Sequence, residues 1–314
     1  MYLTRPTSKV SNSRVRSAFG DITDFVPATL VKLELPGVGN NFQDHPQAYL
    51  TCNFTQDVWP NPATLTNNLT FQAAAQVEYE AHKTGPLTLN LNTGFTFLPL
   101  DTIHSSSTSF HEKLAAQPAG AYLAANLDST LLKGYEAQKD ILARLYKSLD
   151  SAVLESPFGG VCSRTSVLLK PLSRGHVHIN ASNPYGEPVV DFRVYTNPLD
   201  FEVSIESIKY TRKYFKSKLF EPLKPVESAP GPNVTDNAGL LAYMRKTAGP
   251  SSYHPSGTTA MMPRDLGGVV ASDLTVYGLK HVSVVDAGIQ PLIPAAHLTA
   301  TVYAVAEKVS ATIP

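Results

Sequence analysis

Apolar and polar residues alternate along Val31-Lys32-Leu33-Glu34-Leu35, which predicts a half-buried strand, and Pro36-Gly37-Val38-Gly39-Asn40-Asn41 supplies the turn that ends it. A second strand is predicted over 47–54, a helix over 71–82 and an extended stretch over 87–99. Between them Gln56, Asp57, Pro60, Asn61, Pro62, Asn67 and Asn68 predict a long polar loop, with the only tryptophan, Trp59, as a lid residue or, more commonly for such loops, a surface anchor. Residues 103–118 read as a Ser-rich connection. From 128 to 154, Leu131, Leu132, Tyr135, Ile141, Leu142, Leu145, Tyr146 and Leu149 recur at helical spacing, so one face is buried.

The stretch from Val167 to Val194 is the most strand-like, with His176-Val177-His178-Ile179-Asn180 alternating and Asn183-Pro184-Tyr185-Gly186 as a turn. It predicts a hairpin-rich antiparallel sheet. Asp200 is then expected to cap a helix carrying Phe201, Ile205, Ile208, Phe215 and Leu219 on one stripe, with Glu202, Glu206, Lys209, Arg212 and Lys213 opposite. Residues 279–287 read as a strand ending on Asp286 and Ala287. Val302, Val305, Ala306 and Val309 then mark a helix. The first ~25 residues, Ser- and Arg-rich, read as a loosely anchored lead-in.

Composition narrows the function classes. The 314 residues suffice for roughly two domains, and 26 basic against 26 acidic side chains leave no net charge. That balance argues against a broad electrostatic footprint for nucleic acid or an anionic membrane and favours a small-molecule or protein partner. Cys52 and Cys162 are too few for a disulfide framework or a paired-cysteine zinc site, leaving room for one disulfide, and no metal site is expected. The N-terminus has no apolar core of a signal peptide, and no run of ~18 apolar residues occurs, so an intracellular location is expected over a secreted one. Asn53, Asn68, Asn180 and Asn233 sit in glycosylation sequons of the kind that chance produces.

Two segments carry candidate chemistry. In Ser251-Ser252-Tyr253-His254-Pro255-Ser256-Gly257, the proline biases His254 toward extended backbone; taken alone, the segment is a surface turn. His297 and Thr299 stand at the start of the last helix, where free amides and the dipole suit anionic groups, although a plain N-cap explains Thr299 equally well.

Together, His254-Pro255-x-Gly257-Thr258, Gly278-Leu279-x-x-Val282-x-Val284-Val285-Asp286-Ala287 with Pro291, and His297 before Tyr303-Ala304-Val305-Ala306-Glu307-Lys308 resemble the C-terminal signature of the glucose-methanol-choline (GMC) flavoprotein oxidoreductases. Two earlier segments agree: Leu35-Pro36-Gly37-Val38-Gly39-Asn40-Asn41-Phe42-Gln43-Asp44-His45-Pro46, and Ser173-Arg174-Gly175-x-Val177 with Pro184, Pro188 and Asp191. The resemblance runs from about Ser17 to the end and is nearest in wording to fungal aryl-alcohol oxidases and dehydrogenases of secondary metabolism.

This resemblance implies an α+β chain. Residues 47–245 would form an antiparallel-sheet substrate domain, 1–46 a remnant of the FAD-binding domain with the lead-in, and 246–314 the C-terminal segment of that domain. It implies FAD as cofactor and a small-molecule alcohol as substrate, oxidised to an aldehyde, ketone or lactone. His254 matches the family's base and His297 its second active-site histidine. Asp286 and Ala287 match a strand end against the cofactor, and Leu298 and Thr299 a helix start facing the flavin's pyrimidine edge.

The Gly-x-Gly-x-x-Gly turn that seats ADP in full-length members does not occur, and Gly37-x-Gly39 belongs to the mid-chain turn; Ser17-Ala18-Phe19-Gly20-Asp21 matches the family's Ser-Gly-Ile-Gly segment with two changes. Three accounts are open at this point: a truncated GMC enzyme, a half that needs a partner chain to supply the FAD-binding part, or a remnant working without flavin. The last would run proton-transfer chemistry such as cyclisation, dehydration or isomerisation, or serve as a non-catalytic binding protein.

Overall fold

A computed structural model describes residues 14–16, 31–56, 59–89, 94–158, 160–180, 182–183 and 186–311. Its strands are β1 (Arg14–Arg16), β2 (Val31–Glu34), β3 (Gln47–Phe54), β4 (Gly94–Leu98), β5 (Leu154–Phe158), β6 (Arg164–Leu168), β7 (His176–His178), β8 (Val189–Asp191) and β9 (Pro225–Ala229). The helices are α1 (Pro62–Asn67), α2 (Leu69–His82), α3 (Leu100–Ile103), α4 (Ser107–Ala116), α5 (Ser129–Lys147), α6 (Pro198–Phe215), α7 (Asn237–Thr247) and α8 (Leu298–Ser310). The fold is α+β. Five strands in the order β4-β5-β6-β3-β9 form an entirely antiparallel sheet. Among the described residues β1 and β2 make the only parallel strand pair.

Three apolar cores organise the chain. One gathers Phe110 and Leu114 of α4, Leu142 and Tyr146 of α5, and Leu199 and Val203 of α6. A second joins Ala48, Leu50 and Cys52 of β3 to Ile205, Ile208 and Phe215 of α6 and to Leu240 and Met244 of α7. Because α6 lies between these two cores it is buried on more than one face, which explains why Ser204, Ser207 and Thr211 are buried along with its apolar residues. A disulfide between Cys52 and Cys162 pins β3 to the loop before β6. The third core, Leu35, Val269, Val270, Val276, Val284 and Ile289, comes from turns rather than from long elements. No described helix is long and apolar enough to cross a membrane.

Several expectations need correction. The stretch 55–70 is not wholly a loop: Asn61 caps α1 reciprocally with Thr64, Pro62 opens it, and Asn68 caps α2. Trp59 stays 65% exposed and packs edge-on against Phe71 at 5.7 Å, as an anchor rather than a buried lid. Among the described residues of 87–99, only Gly94–Leu98 is a strand. The Ser-rich connection starts on the last residue of α3 and contains α4, whose Phe110 and Leu114, one turn apart, are both buried.

Asp200 does not cap α6. Asn197 does, and the fully buried Asp200 carboxylate instead accepts the Leu172 amide at 2.8 Å and the Ser173 amide and hydroxyl at 2.9 and 2.6 Å. Residues 279–287 form an isolated bridge, Thr275 to Ser283, rather than a strand, because the described residues offer them no parallel neighbour. The Pro184-Tyr185 part of the expected turn and the Ser17–Asp21 match lie outside the described residues.

Candidate active site

Three stretches distant in sequence converge beside β5. Residues 43–47 run antiparallel to 249–256 through bridges Gln43 to Ser256 and Gln47 to Gly249. Asp44, 4% exposed, sits between them as a clamp. Its Oδ1 accepts the amides of His45 at 2.7 Å and of Ser252 and His254 at 3.1 Å, while Oδ2 accepts the Ser251 hydroxyl at 2.6 Å. The third stretch joins through backbone bonds from Gly257 to the Ala287 carbonyl (3.2 Å) and from Thr259 to that of Gly288 (2.9 Å). Gly257 has φ +90°, and a Cβ there would lie 2.5 Å from the Asn41 carbonyl oxygen, so only glycine fits this junction.

This junction brings His254 and His297 together, with ring centroids 5.5 Å apart. His297 is exposed and stands as the N-cap residue of α8, its Nε2 2.8 Å from Oε1 of Glu155. Glu155 is 2% exposed on β5, opposite Phe97 of β4, and its Oε2 is buried without a hydrogen-bond partner among the described residues. Phe95 meets the His297 ring edge-on at 4.6 Å. Phe95 and Phe97 share a face of β4 and are 38% and 42% exposed, and Tyr253 beside His254 is 92% exposed. The histidine pair therefore has open aromatic surface around it.

The ring of His254 is also held from behind. Its Nδ1 lies 3.0 Å from Nδ1 of His45, a wholly buried side chain whose ring meets it edge-on. Burial, reinforced by His254 and Lys170, lowers the His45 pKa to about 3, so this ring is neutral at neutral pH. Burial also lowers His254 below the ordinary imidazole value; Asp44 opposes that shift and His297 adds to it. A neutral His254 is a proton acceptor near pH 7.

The residues matched to a cofactor divide into two groups. Asp286 caps a single helical turn at Ala287–Ile289, its Oδ1 accepting the Gly288 amide at 2.7 Å, and the Ala287 carbonyl is engaged by Gly257. Leu298 is buried and Thr299 exposed on the first turn of α8, where no side chain caps the amides. Such an end fits the electron-rich edge of a flavin ring. The buried Thr259 Oγ1 and both amide atoms of Gln290, which flank the Ala287–Ile289 turn, have no hydrogen-bond partner among the described residues, leaving polar groups for a ligand there. Among the described residues there is no strand-turn-helix seat for ADP, so the fit is to the flavin end alone. No group of three or more His, Cys, Asp or Glu side chains among them is arranged to hold a metal ion.

Reading the sequence missed Asp44, His45 and Glu155 as site residues. His45 had a signal: like His254 it directly precedes a proline, so the same backbone argument applies to both. Glu155 had none, being one carboxylate inside an ordinary strand.

Residues 171–306 match the family model described as GMC oxidoreductase. These residues carry the C-terminal domain of the GMC oxidoreductase family. A dehydrogenase, xptC, of Emericella nidulans is 31% identical over 279 residues, 88% of this chain and 45% of that protein. Among solved structures, an FAD-dependent oxidoreductase from Chaetomium thermophilum superposes with a TM-score of 0.86 at 33% identity, covering 89% of this chain and 48% of that one. A fungal aryl-alcohol oxidase gives 0.82 at 36% identity, covering 88% and 48%. The chain thus spans under half the length of these GMC relatives. His254 and His297 lie inside the stretch matched to the GMC family, whereas His45 and Glu155 lie outside it.

Proposed function

We propose that this chain provides the substrate side and the histidine pair of an FAD-dependent alcohol oxidation, yielding an aldehyde, ketone or lactone within fungal secondary metabolism. The single observation that carries this reading is the meeting of His254 and His297, ring centroids 5.5 Å apart, beside open aromatic surface. In this reading residues 47–245 form the substrate-binding part, and 1–46 with 246–314 belong to the cofactor-binding part. FAD, when bound, would supply the acceptor for hydride from the carbinol carbon.

The chain's own residues then have distinct tasks. His254, kept neutral by burial, takes the hydroxyl proton on Nε2, since Nδ1 is engaged by His45. His297 directs its remaining nitrogen to the substrate oxygen while Glu155 holds Nε2 and fixes the ring. Phe95, Phe97 and Tyr253 offer apolar contact to an aromatic alcohol. The first-turn amides of Leu298 and Thr299, with the Asp286-Ala287 turn, hold the flavin end of the cofactor. The ADP seat is assigned to residues outside this sequence, on the same polypeptide or on a partner chain.

The test is a visible absorption spectrum of the purified protein before and after incubation with FAD, followed by alcohol turnover. Joined to the residues that seat ADP, on the same polypeptide or as an added partner chain, the protein is expected to keep a flavin band through desalting and to lose about 10²–10⁴-fold in turnover in His254→Ala while the band remains. A folded assembly of both parts that retains no flavin would overturn the reading. Turnover in flavin-free protein would replace the reading with proton-transfer chemistry at the same histidines.

A further inference from the structure

We propose that His45 is a positioning residue that sets the tautomer of His254, keeping a proton on its Nδ1 and leaving Nε2 as the basic nitrogen. The inference deepens the proposed function, resting on it for the word basic, but the tautomer itself can be read without any reaction.

The argument starts from a contact between like atoms. Two Nδ1 atoms 3.0 Å apart can form a hydrogen bond only if one carries a proton and the other a lone pair. With both rings neutral, two arrangements exist. In one, His45 donates from Nδ1, so its Nε2 carries a lone pair and His254 must carry its proton on Nε2. In the other, His254 donates from Nδ1, so His45 carries its proton on Nε2 and His254 has a free lone pair there.

Burial decides between them. His45 is 0% exposed, and its Nε2 is enclosed without a hydrogen-bond partner among the described residues. The backbone carbonyls of Pro294 and Leu169 lie against its ring, and both are acceptors only. A lone pair on Nε2 would be buried in a dry ring environment whose recorded backbone neighbours are acceptors, whereas an N–H is attracted to such oxygens. The second arrangement is therefore favoured. Lys170, close enough to disfavour positive charge on His45, keeps the ring from resolving the conflict by gaining a second proton. Asp44 completes the device by accepting the backbone amides of both His45 and His254, which fixes the two rings relative to each other.

The experiment is ¹⁵N-detected NMR of the histidine-labelled 314-residue protein, with the His254 signals assigned by their loss in His254→Asn. The wild type is expected to show His254 with a protonated Nδ1 and an unprotonated Nε2. His45→Phe, which removes the acceptor, is expected to abolish that signature and move the proton to Nε2. His45→Asn, which can place an amide oxygen where Nδ1 stood, is expected to restore it. Unchanged signals from His104 and His111 would establish that each variant is folded. A wild-type His254 protonated on Nε2 overturns the proposal without any variant. An Nδ1–H signature that persists in folded His45→Phe overturns it as well. Undiminished turnover in His254→Ala would instead remove the base assignment while leaving the tautomer result standing, so the two failures are distinguishable.

Discussion

Between Gln47 and Thr247 the chain is fixed by apolar side chains of regular elements, with α6 packed into two cores at once. The stretches 35–46 and 249–297 hold by other means, since they consist of turns and single bridges gathered around one small core. There a few polar groups do what periodic burial does elsewhere. Asp44 joins two segments, and the side chains of Asn41 and Gln43 reach the Pro291 carbonyl at 3.1 and 3.0 Å to hold the third. The difference shows how chemistry can be mounted at the border of a well-packed body: irregular backbone lets histidines approach from several directions, and buried hydrogen bonds remove the slack.

The strongest challenge to this contrast is a core truncation. Phe110→Ala, at a site with no exposure, is expected to lower stability by about 3–5 kcal/mol in urea unfolding, while the NMR signals of His254 stay in place. Altered His254 signals would show that the core and the site are not separable. Next comes Asp44→Ala, which leaves buried donors unpaired at about 1–3 kcal/mol each. Hydrogen exchange at the Ser252 and His254 amides should accelerate while α6 remains protected. Equal loss of protection in α6 would make the two regions one cooperative unit.

The last effect is nil at neutral pH and grows as the pH falls. His45 and His178 are both lowered to about 3 by burial, so between the unfolded imidazole value and that limit the unfolded chain binds more protons than the folded one. Stability is thus fully present above pH ~6.5 and lost as pH falls toward 3, each histidine contributing a slope that approaches about 1.4 kcal/mol per pH unit. Acid titration of His45→Asn should show a shallower slope than the wild type, and an identical slope would remove His45 from the account.

The same contrast explains what could be read from the sequence. The strand at Gln47–Phe54 was legible to its ends because alternation reports burial on one face, and α5 was legible because Leu131, Tyr135, Leu142 and Tyr146 mark a single buried stripe. Helix α1 was hidden by polar composition, although Asn61, Pro62 and Thr64 spell its start, and α4 by serines that distract from Phe110 and Leu114. The strand expected over 279–287 was read from its side chains, but a strand also needs a neighbour. At the site, His254 and His297 stood out through their family motifs. Their supports did not: His45 lies 209 residues from its partner and Glu155 142 from its own, and no local pattern encodes such pairs.

Those separations have a kinetic meaning. Loop closure has to precede any reward from contacts so far apart, which places the site late in folding relative to α5 or the β5–β6 pairing. On the ribosome the order is stricter still. His45 and Glu155 emerge early and wait, His254 follows, and His297 is the last of the four to appear. A nascent chain can settle much of its sheet before it owns a complete set of site residues, and His297 is the one that completes the set.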